Sequence, residues 1–265
     1  MEDLYLYTTI AIIPLVVLTL IAGFVVQFRF AKYSKENNLS GLTGAQAARK
    51  ILDEHGLFDV AIVRIEGNLT DNFNPKTNVV SLSPKVHDGN TIAAVAVAAH
   101  EVGHAIQHAE GYAPMKLRGA LVPACVVTSK AAVPLLLIGI LLEIFLSQNP
   151  ASSILFFLGI ACYALYAVFT LITLPVEFNA SRRAGENLVD YGVIDARDEK
   201  KVNAMLRAAG MTYVISFAMH FCKCSGSSRF SADREAGKNN QFISVINPSF
   251  TVKSNTRGVI IGSAE

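Results

Sequence analysis

Charged residues are scarce in this sequence. Only 17% of its 265 residues are charged and 52% are hydrophobic, whereas an ordinary soluble domain has about 25% charged residues. This scarcity favours a membrane protein over a domain exposed to water on all sides. The most apolar stretches leave about half of the chain for a small globular part.

The sequence also lacks the marks of a nucleic-acid-binding or disulfide-rich protein. Its net charge is only +2, with no dense basic run, so no nucleic-acid partner is predicted. The cysteines form neither a secreted disulfide framework nor a CxxC zinc knot, and they stand at Cys125, Cys162, Cys222 and Cys224. The lipid bilayer is therefore the first expected partner.

Long apolar runs predict several membrane spans. Leu4–Val26 can cross about 30 Å of hydrocarbon, and it lacks the basic start of a signal peptide, so it should remain as an anchor. Ala131–Ser147 and Ile154–Leu174 are predicted to form a helical hairpin with a turn at 147–153. For Ala208–Cys222, a fourth span and an interfacial or core helix are equally open interpretations.

Basic residues flank these runs unevenly. They follow the first span, precede the second and follow the third, at Arg29, Lys32, Lys35, Lys116, Arg118, Lys130, Arg182 and Arg183. The positive-inside rule places all three regions in the cytoplasm. Segments 28–118 and 176–203 then share the cytoplasmic side, where any site built from both would lie.

The segment after the first span is predicted to fold as a small α+β domain. An apolar stripe predicts a helix over Gly44–His55. Two β-branched runs, Val60–Ile65 and Val79–Leu82, predict short strands, paired as a hairpin or lying as neighbours across a turn at 68–77. We interpret Val79–Leu82 as an edge strand that pairs with an extended substrate.

The next predicted helix, from Ile92 to about Ala109, carries the segment H-E-V-G-H at 100–104. Asn90 or Thr91 suits its N-cap. The helix starts with an apolar stretch, which raises an intramembrane protease as an alternative, but that stretch is too short to span a bilayer before Glu101. We interpret it as a buried helix of a globular domain at the membrane surface.

The H-E-V-G-H segment predicts metal-assisted hydrolysis. Residues four apart share a helix face, so His100 and His104 can direct imidazole nitrogens at one metal ion. Glu101 then reaches a water molecule on the metal and acts as general base, while Zn²⁺ lowers the pKa of that water towards about 7. The alternative is a pair of structural histidines, each satisfied by hydrogen bonds.

A catalytic zinc takes three protein ligands, so a third is required. Position 110 is Glu, which excludes metzincin spacing. His108 lies about 11 Å along the helix from His100, too far for one ion, and is interpreted as a surface or outer residue. Glu177 is the predicted third ligand, on a helix that starts at Pro175. The alternative for Glu177 is a residue favoured at a helix start by the dipole.

Three further polar residues follow the third span closely. Ser181 is placed to orient a ligand. Arg182 and Arg183 either stabilise an oxyanion or anchor the span to lipid headgroups, and anchoring is favoured for at least one of them.

Four stretches resemble the YugP-type family of membrane zinc metallopeptidases: G-L-T-G-A at 41–45, A-A-H-E-V-G-H-A-I-Q-H-A at 98–109, Y-A-P-M-K-L-R at 112–118 and T-L-P-V-E-F-N-A-S at 173–181. The resemblance covers about residues 1–215. It implies a multi-pass bacterial plasma-membrane protein with a gluzincin-like catalytic core. In that core His100, His104 and Glu177 would bind zinc and Glu101 would be the base.

The C-terminal end departs from the family, whose members continue into an apolar final helix. Here Ser225–Gln241 is polar and predicted to be disordered, and Phe242–Val252 is predicted as one strand. The predicted organisation is an anchor at 1–27, a cytoplasmic metallopeptidase domain at 28–118, a membrane hairpin at 119–175, a helix with the third ligand and a possible last span at 176–222, and a polar tail at 223–265.

The sequence thus predicts a mainly α multi-pass membrane protein with a small α+β, gluzincin-like cytoplasmic catalytic domain. The predicted activity is that of a zinc metalloendopeptidase acting on cytoplasmic or membrane-proximal polypeptides. The alternative is a non-catalytic, metal-stabilised membrane scaffold or assembly factor. Zinc transport is disfavoured because the candidate ligands lie outside the spans. No sequence feature indicates an oligomeric state.

Overall fold

Helices dominate the protein. The computed structural model describes the backbone of residues 2–145, 150–246, 253–254 and 260–261. Within these residues the elements run in the order α1 (Glu2–Tyr33), α2 (Gly44–Glu54), β1 (Ala61–Arg64), β2 (Asn72–Asn74), β3 (Val79–Leu82), α3 (Pro84–His87), α4 (Ile92–Ala109), α5 (Ala113–Phe145), α6 (Pro150–Asp190), α7 (Glu199–Ile246), β4 (Lys253–Ser254) and β5 (Ile260–Ile261).

Three helices are long and apolar enough to cross a membrane. The stretches concerned are Pro14–Tyr33 in α1, Ala113–Leu142 in α5 and Phe157–Asp190 in α6. Among the described residues α7 provides no such stretch, so the possible fourth span at Ala208–Cys222 gains no support from it. The prediction of a mainly helical protein with three helices apolar enough to span a membrane is confirmed.

The membrane hairpin differs from its prediction at both helices. Helix α5 begins at Ala113 and runs through Pro123 and Pro134. It therefore starts before the apolar block Ala131–Ser147, and the predicted domain boundary between residues 118 and 119 falls inside it. Proline is tolerated in membrane helices because neighbouring groups satisfy the carbonyls it leaves free. Residues 147–149 of the predicted turn lie outside the described residues.

Helix α6 is continuous through Pro175, so the prediction that a new helix starts there is wrong. Proline removes one intrahelical hydrogen bond and crowds the carbonyl four residues earlier. Packing against α5 and α7 on either side holds the helix together across this defect. Glu177 consequently lies in the interior of one long helix, and the alternative of a residue placed at a helix start no longer applies.

Helix α7 also extends further than expected. It continues to Ile246, which contradicts the predicted disorder of Ser225–Gln241 and the first part of the predicted strand Phe242–Val252. The segment contains no proline before Pro248, and a helix that is already formed gains one hydrogen bond for each residue it adds. Residues 247–252 of the predicted strand lie outside the described residues.

The small sheet has three strands in the order β1-β3-β2. Strands β1 and β3 are parallel, with Ala61 opposite Val79, whereas β2 runs antiparallel to β3, with Phe73 opposite Val80. The prediction that Val79–Leu82 is an edge strand is therefore wrong. The prediction failed because β2 covers that edge of β3. Strand β2 was not expected, since Phe73 is flanked by asparagines, which are typical of a turn.

Helix α4 lies at the centre of this part of the molecule. Its N-cap is Thr91, whose hydroxyl accepts from the Ala94 amide. The helix packs against α2, the sheet, α6 and α7, and the shared core includes the fully buried side chains of Ile51, Leu52 and Leu82. Burial by protein on several sides explains why the first turns of α4 are apolar.

Candidate metal centre

Two helices bring three potential ligands together. His100 and His104 project from α4 and Glu177 from α6, and one donor atom from each lies within 4.8 Å of the other two. Glu177 Oε2 is 3.3 Å from His100 Nε2 and 3.8 Å from His104 Nε2. In the described part of the chain this is the one such group of His, Cys, Asp or Glu. The structure thus brings together the three ligands predicted from sequence.

Each histidine is held by its second ring nitrogen. His104 Nδ1 lies 3.0 Å from Oε1 of Gln107, whose side chain is fully buried. His100 Nδ1 lies 3.3 Å from the Ser181 hydroxyl, in keeping with the orienting role predicted for that serine. Both contacts leave Nε2 facing Glu177, which is the arrangement that outer hydrogen bonds impose on metal-binding histidines.

The Glu177 carboxylate is also held on its far side. Arg118, from the second turn of α5, places Nη1 3.2 Å from Oε1, the oxygen that does not face the histidines. Tyr213 of α7 lies near the same carboxylate, and burial together with the negative charge of Glu177 raises the pKa of Tyr213 to about 12. Sequence reasoning counted Arg118 only as a cytoplasmic basic residue, and the available signal was its place in the Y-A-P-M-K-L-R stretch. The centre therefore draws on four helices.

Glu101 lies beside this group without joining it. Its buried carboxyl has a pKa raised to about 7, first by burial and then by the negative charges of Glu177 and Asp71. The backbone N–H of Phe73 in β2 donates to this carboxyl and limits the rise in pKa. A carboxyl with a pKa near neutrality can both accept and release a proton, as a general acid–base group must.

The two histidines differ in their tendency to carry charge. Burial lowers the pKa of His104 to about 4, with the neighbouring His100 adding to the effect. Burial also opposes protonation of His100, but the hydrogen bond to Glu177 and the charge of Glu101 outweigh it and raise the pKa of His100. His104 is thus neutral at neutral pH, which is the form that binds metals.

The two ligand-bearing helices touch at Gly103. A Cβ atom at this position would lie 2.9 Å from the carbonyl oxygen of Ala180 in α6, closer than real Cβ atoms approach. Glycine is therefore needed for α4 to come near enough for Glu177 to face both histidines. The sequence indicated only that a glycine is tolerated there.

His108 and the two arginines lie apart from the centre. The His108 ring contacts Phe73 with ring centroids 5.9 Å apart, and the residue is outside the ligand group, as predicted. Arg182 pairs with Glu186 and Arg183 with Glu110. Carboxylates therefore hold both guanidinium groups, and no contact supports the oxyanion role predicted for them.

The donor set fits a catalytic zinc site. Two imidazole nitrogens and one carboxylate oxygen are the ligands of one class of catalytic Zn²⁺ centre, which keeps a fourth position open. All three residues direct one donor atom at the shared centre and are fixed by contacts on the other side. A carboxyl able to move a proton stands beside them. The arrangement is suited to hydrolysis.

Comparison with known proteins agrees with this chemistry. Residues 8–225 match the family described as "Putative neutral zinc metallopeptidase". The chain is also 44% identical to a protein of Bacillus subtilis (strain 168) described as "Putative membrane protease YugP", over 211 residues that cover 80% of this chain and 89% of the relative. No solved structure matches the chain. The chain belongs to this zinc metallopeptidase family.

Proposed function

We propose that the protein is a zinc metalloendopeptidase that hydrolyses peptide bonds of polypeptides at the membrane surface. His100, His104 and Glu177 would hold the ion, and Glu101 would be the general base. The convergence of these three donor atoms within 4.8 Å is the observation that carries the proposal. When bound, Zn²⁺ supplies Lewis acidity, which activates water near neutral pH.

Glu101 carries the proton in this proposal. Its carboxylate accepts a proton from the water that attacks the peptide carbonyl and then donates it to the leaving amine nitrogen. A pKa of about 7 suits both steps, because the same group must be a base first and an acid afterwards. General acid–base catalysis of this kind contributes about 10²- to 10⁴-fold to the rate.

Strand β2 is the proposed docking edge for the substrate. It is an outer strand of the sheet, and the backbone of Phe73 at its centre lies close enough to Glu101 to lower the pKa of that carboxyl. Backbone groups alternate in direction along an antiparallel strand. An extended polypeptide added to the free edge of β2 would therefore lie against the catalytic carboxyl. This role replaces the one that the sequence suggested for β3.

The proposed substrates are cytoplasmic or membrane-proximal because of where the centre stands. Glu177 is three residues beyond Leu174, the end of the apolar run in α6, which is about 4.5 Å along a helix. Basic residues flank the spans on this side, so the positive-inside rule supports a cytoplasmic centre in the plasma membrane. A histidine-bearing helix completed by a Glu from a second helix supports a gluzincin-like core.

The proposal is tested with Glu101→Gln in the full-length protein. We expect cleavage of an unstructured polypeptide to fall by about 10²- to 10⁴-fold while the zinc content stays that of the wild type. Glu54→Gln, at an exposed carboxylate of α2, is the matched control and should retain full activity.

Unchanged cleavage in Glu101→Gln would contradict the mechanism. Zinc binding without cleavage of any substrate, even by the wild type, would instead match the alternative of a metal-stabilised scaffold or assembly factor.

A further inference from the structure

A fully buried glutamine connects the metal centre to helix α6. Gln107 uses both hydrogens of its amide nitrogen, which donates to the Val176 carbonyl and to Asn179 Oδ1, each at 2.9 Å. Its oxygen is left to face His104 Nδ1 at 3.0 Å. Because an amide oxygen only accepts, Nδ1 of His104 must carry the hydrogen, and Nε2 presents its lone pair to the ligand group.

The orientation of Gln107 depends in turn on its neighbour. A flipped Gln107 would place its oxygen against the Val176 carbonyl, which therefore favours the observed orientation by itself. Asn179 reinforces that orientation only while it presents Oδ1. Arg183 enforces this, because its Nε donates to the same Oδ1 at 2.9 Å. A guanidinium group has donors and no acceptor, so it accepts no alternative orientation of Asn179.

Arg183 is itself fixed from the other helix. Its two terminal nitrogens donate to the two carboxylate oxygens of Glu110 at 2.8 and 2.6 Å. Glu110 is the C-cap of α4, the helix that carries His104. This bidentate geometry defines the position of the guanidinium plane. The chain of contacts thus starts at a partly exposed ion pair and ends at a buried imidazole.

We propose that Arg183 is a positioning residue that sets the tautomer of His104 through Asn179 and Gln107. The inference rests on the proposed role of His104 as a zinc ligand. Without the guanidinium, the Asn179 amide can turn over and leave the Val176 carbonyl alone to hold the Gln107 amide, so Gln107 turns over in part of the molecules. In those molecules the hydrogen of His104 moves from Nδ1 to Nε2, so the nitrogen that faces Glu177 no longer offers a lone pair to a metal.

The adjacent arginine provides a matched control. Arg182 lies on the same helix and forms its own ion pair, with Glu186, on the exposed surface. Arg183→Met and Arg182→Met therefore remove the same charge one residue apart, and only the first breaks the chain of contacts to His104. Zinc affinity of the purified full-length protein, measured by competition with a chelator, should fall about tenfold or more in Arg183→Met and stay unchanged in Arg182→Met. Equal losses in the two variants would overturn the proposal.

The tautomer itself is measurable without any metal. In metal-free protein labelled with ¹⁵N in the histidine rings, part of the His104 signal should change from the Nδ1-protonated to the Nε2-protonated pattern in Arg183→Met. A wild-type pattern in Arg183→Met would overturn the proposal.

These readouts separate this inference from the proposed function. A protein that binds no zinc would contradict the function, yet the metal-free tautomer would still decide the role of Arg183. Glu110→Gln covers the case in which Arg183→Met does not fold, because it loosens the guanidinium from the surface end. Glu110→Gln should produce the same change of tautomer in a smaller share of the molecules. A wild-type tautomer of His104 in Glu110→Gln would also overturn the proposal.

Discussion

Apolar side chains are buried by protein in one part of this molecule and exposed on the protein surface in another. In the part built from α2, α4 and the sheet, residues such as Leu52 and Leu82 are wholly covered by protein. In the hairpin of α5 and α6, Leu137 is 55% exposed and Phe145 78% exposed. The first part is held together by burial away from water, whereas the second leaves apolar surface for lipid tails to cover.

The metal centre lies where these two parts meet. His100, Glu101 and His104 come from the water-facing part, whereas Glu177 and Arg118 come from helices that continue into the membrane. Neither part contains a complete centre. The chemistry therefore depends on how α4 docks against α6, and each prediction below disturbs one side of that contact.

Removal of the ligand on the membrane side should have the largest effect. Glu177→Ala takes away the one oxygen donor, so zinc affinity should fall by more than the roughly 10- to 100-fold that outer partners contribute, and cleavage should be lost. Glu186→Ala, an exposed carboxylate further along α6, is the control. Zinc titration of both variants would contradict the ligand assignment if Glu177→Ala bound as tightly as the control.

Replacing a leucine by alanine should destabilise the two parts of the molecule to different extents. Leu52→Ala opens a cavity in the water-facing core and should lower the free energy of unfolding by about 2–5 kcal/mol. Leu137→Ala exchanges one apolar group for another on a surface that lipid covers, so it should cost less than about 1 kcal/mol. Thermal unfolding in lipid nanodiscs measures both, and equal losses would show that Leu137 packs inside a protein core.

The sequence predicted best what is local. The four-residue spacing of His100 and His104 needs only a helix, and hydropathy finds the three spans because lipid demands long apolar runs. Strand β2 was missed because its asparagines are typical of turns. The start of α5 was missed because Pro123 and Pro134 are helix breakers in water but are tolerated in membrane helices.

The sequence predicted the ligands of the metal centre but not the residues that hold those ligands in place. Glu177 could be proposed because topology placed it on the same side as the histidines and because a zinc site needs a third donor. Arg118 and Gln107 could not, since their contacts with Glu177 and Val176 join residues that are far apart in sequence. No spacing rule encodes such contacts, which exist only once α4, α5 and α6 have packed.

Removing Arg118, which holds Glu177 in place, should lower zinc affinity less than removing Glu177 itself. Arg118→Gln removes the charge that holds Oε1, so zinc affinity should fall by about 10- to 100-fold without loss of the fold. Arg118→Lys keeps the charge but not the planar geometry, so its zinc affinity should lie between that of Arg118→Gln and that of the wild type. Lys116→Gln, an exposed neighbour on α5, should change nothing. An effect of Lys116→Gln as large as that of Arg118→Gln would point to general charge instead of a specific contact.

The smallest predicted effect comes from the contact between the helices. Gly103→Ala adds one methyl group 2.9 Å from the Ala180 carbonyl oxygen, and because that oxygen belongs to a helix backbone it cannot turn aside. We expect a cost near the lower end of the about 1–3 kcal/mol typical of overpacking, and a measurable loss of zinc affinity as α4 moves away from Glu177.

Gly119→Ala on α5 is the matched control, because nothing lies within 4 Å of the added carbon. In a helix interior, alanine is favoured over glycine by about 0.5–1 kcal/mol, so this variant should be slightly more stable than the wild type and should bind zinc equally well. Opposite changes in the unfolding temperatures of the two variants would show that the close approach of α4 and α6, and not helix propensity, is what requires glycine at 103. Changes of the same sign would contradict a tight contact at the point where the two parts of the metal centre meet.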